Sequence, residues 1–128
     1  MKKILVPLFS LIISFNAYGE WTEIAQNSSG DTYHLDLDLS NIKQADGYIY
    51  YWEWDENLKP TVSGNMGYIV YNQGDCKVGR TNALSVIAYQ NPRLKGQGEP
   101  YNPPVNWVYH TPSSVGEALL DYICNYVK

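Results

Sequence analysis

From Tyr48 to Asp55 side chains of two kinds alternate: Tyr48, Tyr50, Trp52 and Trp54 fall on one side of an extended chain, Ile49, Tyr51, Glu53 and Asp55 on the other. A period of two does not suit a helix and commits the segment to a strand in a sheet with two unlike faces. Each buried ring removes about 150–250 Å² from water. The wholly aromatic side is therefore expected to face the core, and the side carrying Glu53 and Asp55 to face solvent. The competing reading is an exposed ladder that stacks sugars, but exposed apolar patches of that size are unusual.

Around this strand lie similar stretches rich in Tyr, Trp, Val and Ile, separated by Gly, Asn, Asp and Pro. They predict strands near Trp21–Ala25, Thr32–Leu37, Met66–Tyr71 and Val78–Tyr89, with a sixth near Val105–Tyr109. The run Asn27-Ser28-Ser29-Gly30-Asp31 is a turn that joins the first two strands as a hairpin. Segment 91–104, with Pro92, Gly96, Gly98, Pro100, Pro103 and Pro104, lacks apolar periodicity and reads as a long loop.

The pattern changes after Tyr109. Ser114 followed by Glu117 forms a capping box, and Val115, Leu119, Tyr122, Ile123 and Tyr126 recur at helical spacing. This predicts a C-terminal helix whose apolar stripe packs on the sheet.

The N-terminus carries a different signal. Lys2 and Lys3 precede an apolar run from Ile4 to Phe15, and Ala17-Tyr18-Gly19 supplies small residues before Glu20. This is the layout of an export signal cleaved after Gly19. The run is too short for a spanning helix, which needs about 20 apolar residues. Residues 1–19 are thus read as a signal peptide and 20–128 as one domain, long enough to bury roughly 65% of its unfolded surface. The expected location is the periplasm, the outer surface or the medium.

Losing the signal leaves seven basic and thirteen acidic residues, a net charge of −6. Such a charge argues against a nucleic-acid binder. No later stretch reaches membrane-spanning length. Cys76 and Cys124 are the only cysteines, and in an exported chain an even pair favours a disulfide.

Chemistry-bearing constellations are sparse. His34, beside Asp36 and Asp38, suggests a metal site only weakly, because metal centres need more ligands. His110 has no cysteine to activate, and the glycines at 64, 67, 74 and 79 do not fit a phosphate loop. Glu53 and Asp55 share a face and could do acid–base work only in a cleft that raises a pKa. No catalytic, cofactor or metal residue is therefore assigned. Between Asp75 and Glu99 the chain holds Lys77, Arg80, Arg93 and Lys95 without an acidic residue. Because long loops in compact domains tend to be functional, Arg93 and Lys95 of the 91–104 loop are the candidate partner-contact residues.

Several short motifs recur together in a fixed order: Trp21-Thr22-Glu23-Ile24-Ala25, Gly30-Asp31-Thr32-Tyr33 with Leu35-Asp36, and Tyr50-Tyr51-Trp52-Glu53-Trp54. Asp75-Cys76-Lys77 with Arg80, then Pro112-Ser113-Ser114-Val115 and Tyr122-Ile123-Cys124, complete the series. In that order, and in its two cysteine positions, the chain resembles the surface-adhesin protein E family of small exported bacterial proteins. The resemblance implies an antiparallel sheet packed against a C-terminal helix tied by one disulfide, and adhesion to host surface or matrix proteins. It brings no catalytic residue.

The fold expected is α+β: five to six antiparallel strands with a C-terminal helix packed on them and one disulfide, Cys76–Cys124. The function expected is a non-enzymatic envelope binding module that contacts protein or glycan and needs no cofactor; a homodimer is compatible with it. The alternative is a small inhibitor or accessory factor that plugs a periplasmic hydrolase with loop 91–104.

Overall fold

The computed structural model describes residues 21–128. The expected signal peptide lies outside the described residues. Eight strands form one antiparallel sheet: β1 (Trp21–Gln26), β2 (Thr32–Asp36), β3 (Lys43–Ala45), β4 (Tyr48–Glu56), β5 (Gly67–Asp75), β6 (Arg80–Tyr89), β7 (Glu99–Tyr101) and β8 (Trp107–Tyr109). The helix α1 (Val115–Tyr126) follows. The order across the sheet is β1-β2-β4-β5-β6-β7, with β3 also pairing β4 and β8 also pairing β6. β2 and β3 thus share one edge of β4, and β7 and β8 share one edge of β6.

The β1–β2 hairpin closes through the expected turn. Asn27 Oδ1 accepts from the Ser29 and Asp31 N–H groups, and Gly30 takes the positive φ that a side chain would resist. Strands β3 and β7 were not expected. β7 is three residues with a central proline, tolerable because it pairs only with β6 at the sheet edge. Segment 91–104 is therefore not a free loop. Leu94 packs beside Gly67, and Gly98 lies against the Ile87 and Tyr89 side chains, so the segment folds down onto one end of the sheet.

The core corrects the expectation about β4. Ile49 and Tyr51 are buried, with Tyr51 only 1% exposed, and they join Leu35, Leu119, Leu120 and Ile123 in the main cluster. The helix covers the Ile49/Tyr51/Glu53/Asp55 side, and the aromatic side of β4 is left half-buried. Gly74 explains why the helix can sit so close: a Cβ there would meet Leu120, Ile49 and Tyr51 at 2.9–3.2 Å. The helical stripe shifts accordingly, with Leu120 buried while Tyr122 and Tyr126 are exposed. Tyr126 still donates its hydroxyl to the Leu37 carbonyl.

Ser114 caps the helix by accepting from the Glu117 N–H at 3.1 Å. The reciprocal bond runs from the Ser113 N–H to Glu117 Oε1, one residue before the position a standard box uses. Cys76, just beyond β5, is bonded to Cys124 with a Cα–Cα distance of 6.0 Å. The disulfide ties the helix to the end of the central strands, as expected.

Candidate functional site

Two surfaces carry chemistry, one on each face of the sheet. The face opposite the helix holds the aromatic ladder. Register places Trp54 beside His34, Trp52 beside Tyr71, and Tyr50 beside Gln73 and Lys43. The rings touch in sequence: His34 stacks on Trp54 at 4.1 Å, Trp21 meets Trp54 edge-on at 5.8 Å, and Trp52 lies 4.6 Å from Tyr71. Tyr48 continues the strip to Trp107 at 5.5 Å, and the Arg80 guanidinium lies 4.2 Å over Trp107. All four tryptophans of the chain lie on this face.

Polar groups are threaded between the rings. The Asn106 N–H donates to Asn82 Oδ1, Asn82 Nδ2 to Gln73 Oε1, and Gln73 Nε2 to the Tyr50 hydroxyl. This chain of bonds fixes Tyr50 and leaves Gln73 half-buried on the surface. Arg80 is held by Asp75 at 3.0 Å and by the Tyr109 hydroxyl. At the other end, Glu56 accepts the Trp54 indole N–H through Oε1 and the Arg93 backbone N–H through Oε2. The expected contact residues Arg93 and Lys95 are exposed beside this corner. Both Arg93 and Leu94 adopt positive φ, strained for residues with a side chain.

The second surface is a cleft of about 510 Å³ between the helix start and the sheet. Glu53 and Asp55 lie in its lining with Asn72, and Val70, Val115 and Leu119 supply apolar walls. The two carboxyls were expected on a solvent face. They instead meet the condition set for acid–base chemistry, because burial pushes Asp55 well above the usual carboxylate range, aided by the hydrogen bond and charge of Glu53. Asn72 Nδ2 donates to Glu53 Oε1 at 2.9 Å. Asp55 Oδ1 is out of contact with solvent and has no hydrogen-bond partner. A buried carboxyl oxygen without a donor, next to a second carboxyl, is satisfied when the pair shares one proton. The protonated form of the pair is favoured at Asp55, whose charge burial penalises. Burial also raises Tyr33 and Tyr51, whose phenols share the lining.

The histidines are engaged elsewhere. His34 Nδ1 meets the Trp54 carbonyl at 3.2 Å, and His110 Nε2 meets Thr81 Oγ1 at 2.8 Å. Asp36 accepts from the Asp38 N–H and Asn41 Nδ2, while Asp38 caps the 3-10 turn at Ser40, so neither carboxylate is directed at His34. Asn72, Thr81 and His110 entered no sequence motif: they meet Glu53 only through β5, β6 and the approach to the helix, and no local spacing marks them.

A family model, Surface-adhesin protein E, matches residues 21–125, nearly the whole described chain. The chain belongs to the surface-adhesin protein E family. It is thus an adhesin-like surface protein, as its motif order implied. No curated protein and no solved structure matches it. Among the described residues, no helix of this surface-adhesin E protein is long and apolar enough to cross a membrane.

Proposed function

We propose that this chain is an exported, non-enzymatic contact module of the bacterial envelope that engages glycan chains through its open aromatic face. On this reading the signal is removed after Gly19 and residues 20–128 act as a single domain in the periplasm, at the outer surface or in the medium. The disulfide, which oxidising compartments favour, and the family membership support export.

The observation that carries the proposal is that Trp21, Trp52, Trp54 and Trp107 all sit on the sheet face that the helix leaves uncovered. These rings are only partly buried, and contiguous aromatic area left partly uncovered marks an interaction surface. A glycan fits it better than an apolar protein patch. Sugar rings pair C–H faces with hydroxyl edges, and here the rings lie beside the Tyr50 hydroxyl and the half-buried Gln73 amide, which can bond hydroxyls. Arg93 and Lys95 then act at the rim, where charge steers association more than it sets affinity. Because segment 91–98 is folded onto the sheet, it suits a rim better than the projecting plug an inhibitor needs.

A printed oligosaccharide array tests the reading. Wild-type protein is expected to bind a defined subset of glycans, and Trp52→Ala with Tyr71→Ala to bind them at least about tenfold more weakly, a loss of about 1.4 kcal/mol, while melting cooperatively. An array on which the wild type is silent, or on which the double variant is unchanged, contradicts it.

A further inference from the structure

We infer that the cleft between the helix start and the sheet is a binding site for a primary alkylammonium group, seated on Glu53 and Asp55 with its alkyl stem along Val70, Val115 and Leu119. The inference is independent of the glycan face, since the two sites lie on opposite sides of the sheet.

Three observations support it. First, Asp55 Oδ1 is buried and accepts from no N–H or hydroxyl of the described residues, so a proton shared with Glu53 is all that satisfies it, and natural structures rarely leave a buried polar atom without a fixed donor. Second, the carboxyl pair has no cationic partner: no Lys or Arg lines the cleft. The basic group that does, His110, spends Nε2 on Thr81 and has its Nδ1 edge packed against Gly116. Buried charge is otherwise found paired. Third, the donor set selects against a metal ion, because no group of three or more His, Cys, Asp and Glu suited to a metal exists among the described residues. A carboxyl pair flanked by the phenols of Tyr33 and Tyr51 suits an ammonium instead, whose three N–H donors can meet both carboxyls and a phenolic oxygen. The volume also lies within the range of small-ligand sites, about 300–1,000 Å³.

Binding has a proton balance. Without ligand, burial favours the protonated form of Asp55. An entering ammonium displaces that proton to solvent, and both carboxylates then face a single cation; no covalent bond is made or broken. The same chemistry can come from a lysine side chain of a partner protein or from a free alkylamine.

The test is an amide-resonance titration of the folded full domain with two probes: n-butylammonium chloride, and a short peptide containing one lysine. Sodium chloride at equal ionic strength and the same peptide acetylated at Nζ are the controls. Saturable shifts at Glu53, Asn72 and Val115 are expected with both amines and not with either control. Proton release is expected by calorimetry in buffers of different ionisation enthalpy. A peptide that binds at least about tenfold tighter than butylammonium identifies a protein lysine as the source, and equal affinity identifies free amines. Asp55→Asn is expected to lose at least about tenfold in affinity while remaining folded, with Glu53→Gln as the second variant if Asp55→Asn does not fold. Shifts no larger than those from salt, or equal binding of the acetylated peptide, overturn the inference without recourse to any variant.

Discussion

The side-chain amide of Asn72 on β5 donates to Glu53 Oε1 on β4 at 2.9 Å and anchors that carboxyl in the cleft beside Asp55. Burial disfavours the charged form of Asp55 and holds its carboxyl well above the usual range, and the hydrogen bond and charge of Glu53 add to the shift. Glu53, Tyr33, Tyr51 and Tyr68 face Asp55, and His110 borders the same cleft. A carboxyl whose folded pKa is raised binds more protons folded than unfolded, so its contribution to stability is present in acid and declines as pH rises from the ordinary Asp value through the raised one. Thermal melts of the wild type are expected to show that decline, and Asp55→Asn to flatten it and to raise Tm at neutral pH. A variant with an unchanged pH profile contradicts the assignment of the proton.

Exchanging the inner and outer faces of β4 has a direct consequence for stability. Tyr51→Ala removes a fully buried ring and is expected to cost about 3–5 kcal/mol. Trp52→Ala, on the open face, loses only part of its burial and is expected to cost about 1–2 kcal/mol. Denaturant melts of the two variants check the order, and a Trp52 variant less stable than the Tyr51 variant refutes it.

Gly74 is the position where the sheet admits the helix. Gly74→Ala drives a methyl group into Leu120, Ile49 and Tyr51, with an expected cost of about 1–3 kcal/mol from overpacking. The paired substitution Gly74→Ala with Leu120→Ala is expected to be less destabilising than the sum of the two, measured as a double-mutant cycle. Strict additivity contradicts the contact.

The Cys76–Cys124 bond closes a loop with a sequence separation of 48. In the chain-entropy model this is worth about 4 kcal/mol, so reduction or Cys76→Ser with Cys124→Ser is expected to lower Tm by tens of degrees in a domain of this size. Thiol titration of the unfolded, unreduced protein is expected to find no free thiol.

Six of the eight strands, the helix and the disulfide were legible in the sequence because alternation, helical spacing and cysteine parity are local signals. The inner face of β4 was not, because its rings are more apolar than the Ile49 side and area alone favours burying them. What decides it is register. Leu35 pairs with Glu53, and Ile49 with Gly74, so the apolar positions of β2 and the glycine of β5 lie under the helix on one side. Strand β7 was hidden by its proline. The cleft was half-legible: two carboxyls on one face could be seen, but the Asn72 and helix groups that perturb them come from elements distant in the chain.

Because all four tryptophans lie on the open face, tryptophan emission reports on that face and not on the cleft. The most direct test of the account is acrylamide quenching of that emission, with and without a saturating glycan selected from the array. The account predicts a clear fall in the quenching constant when the glycan is bound, and none with butylammonium. Quenching that is unchanged at glycan saturation would place the contact elsewhere and contradict the aromatic face as the working surface.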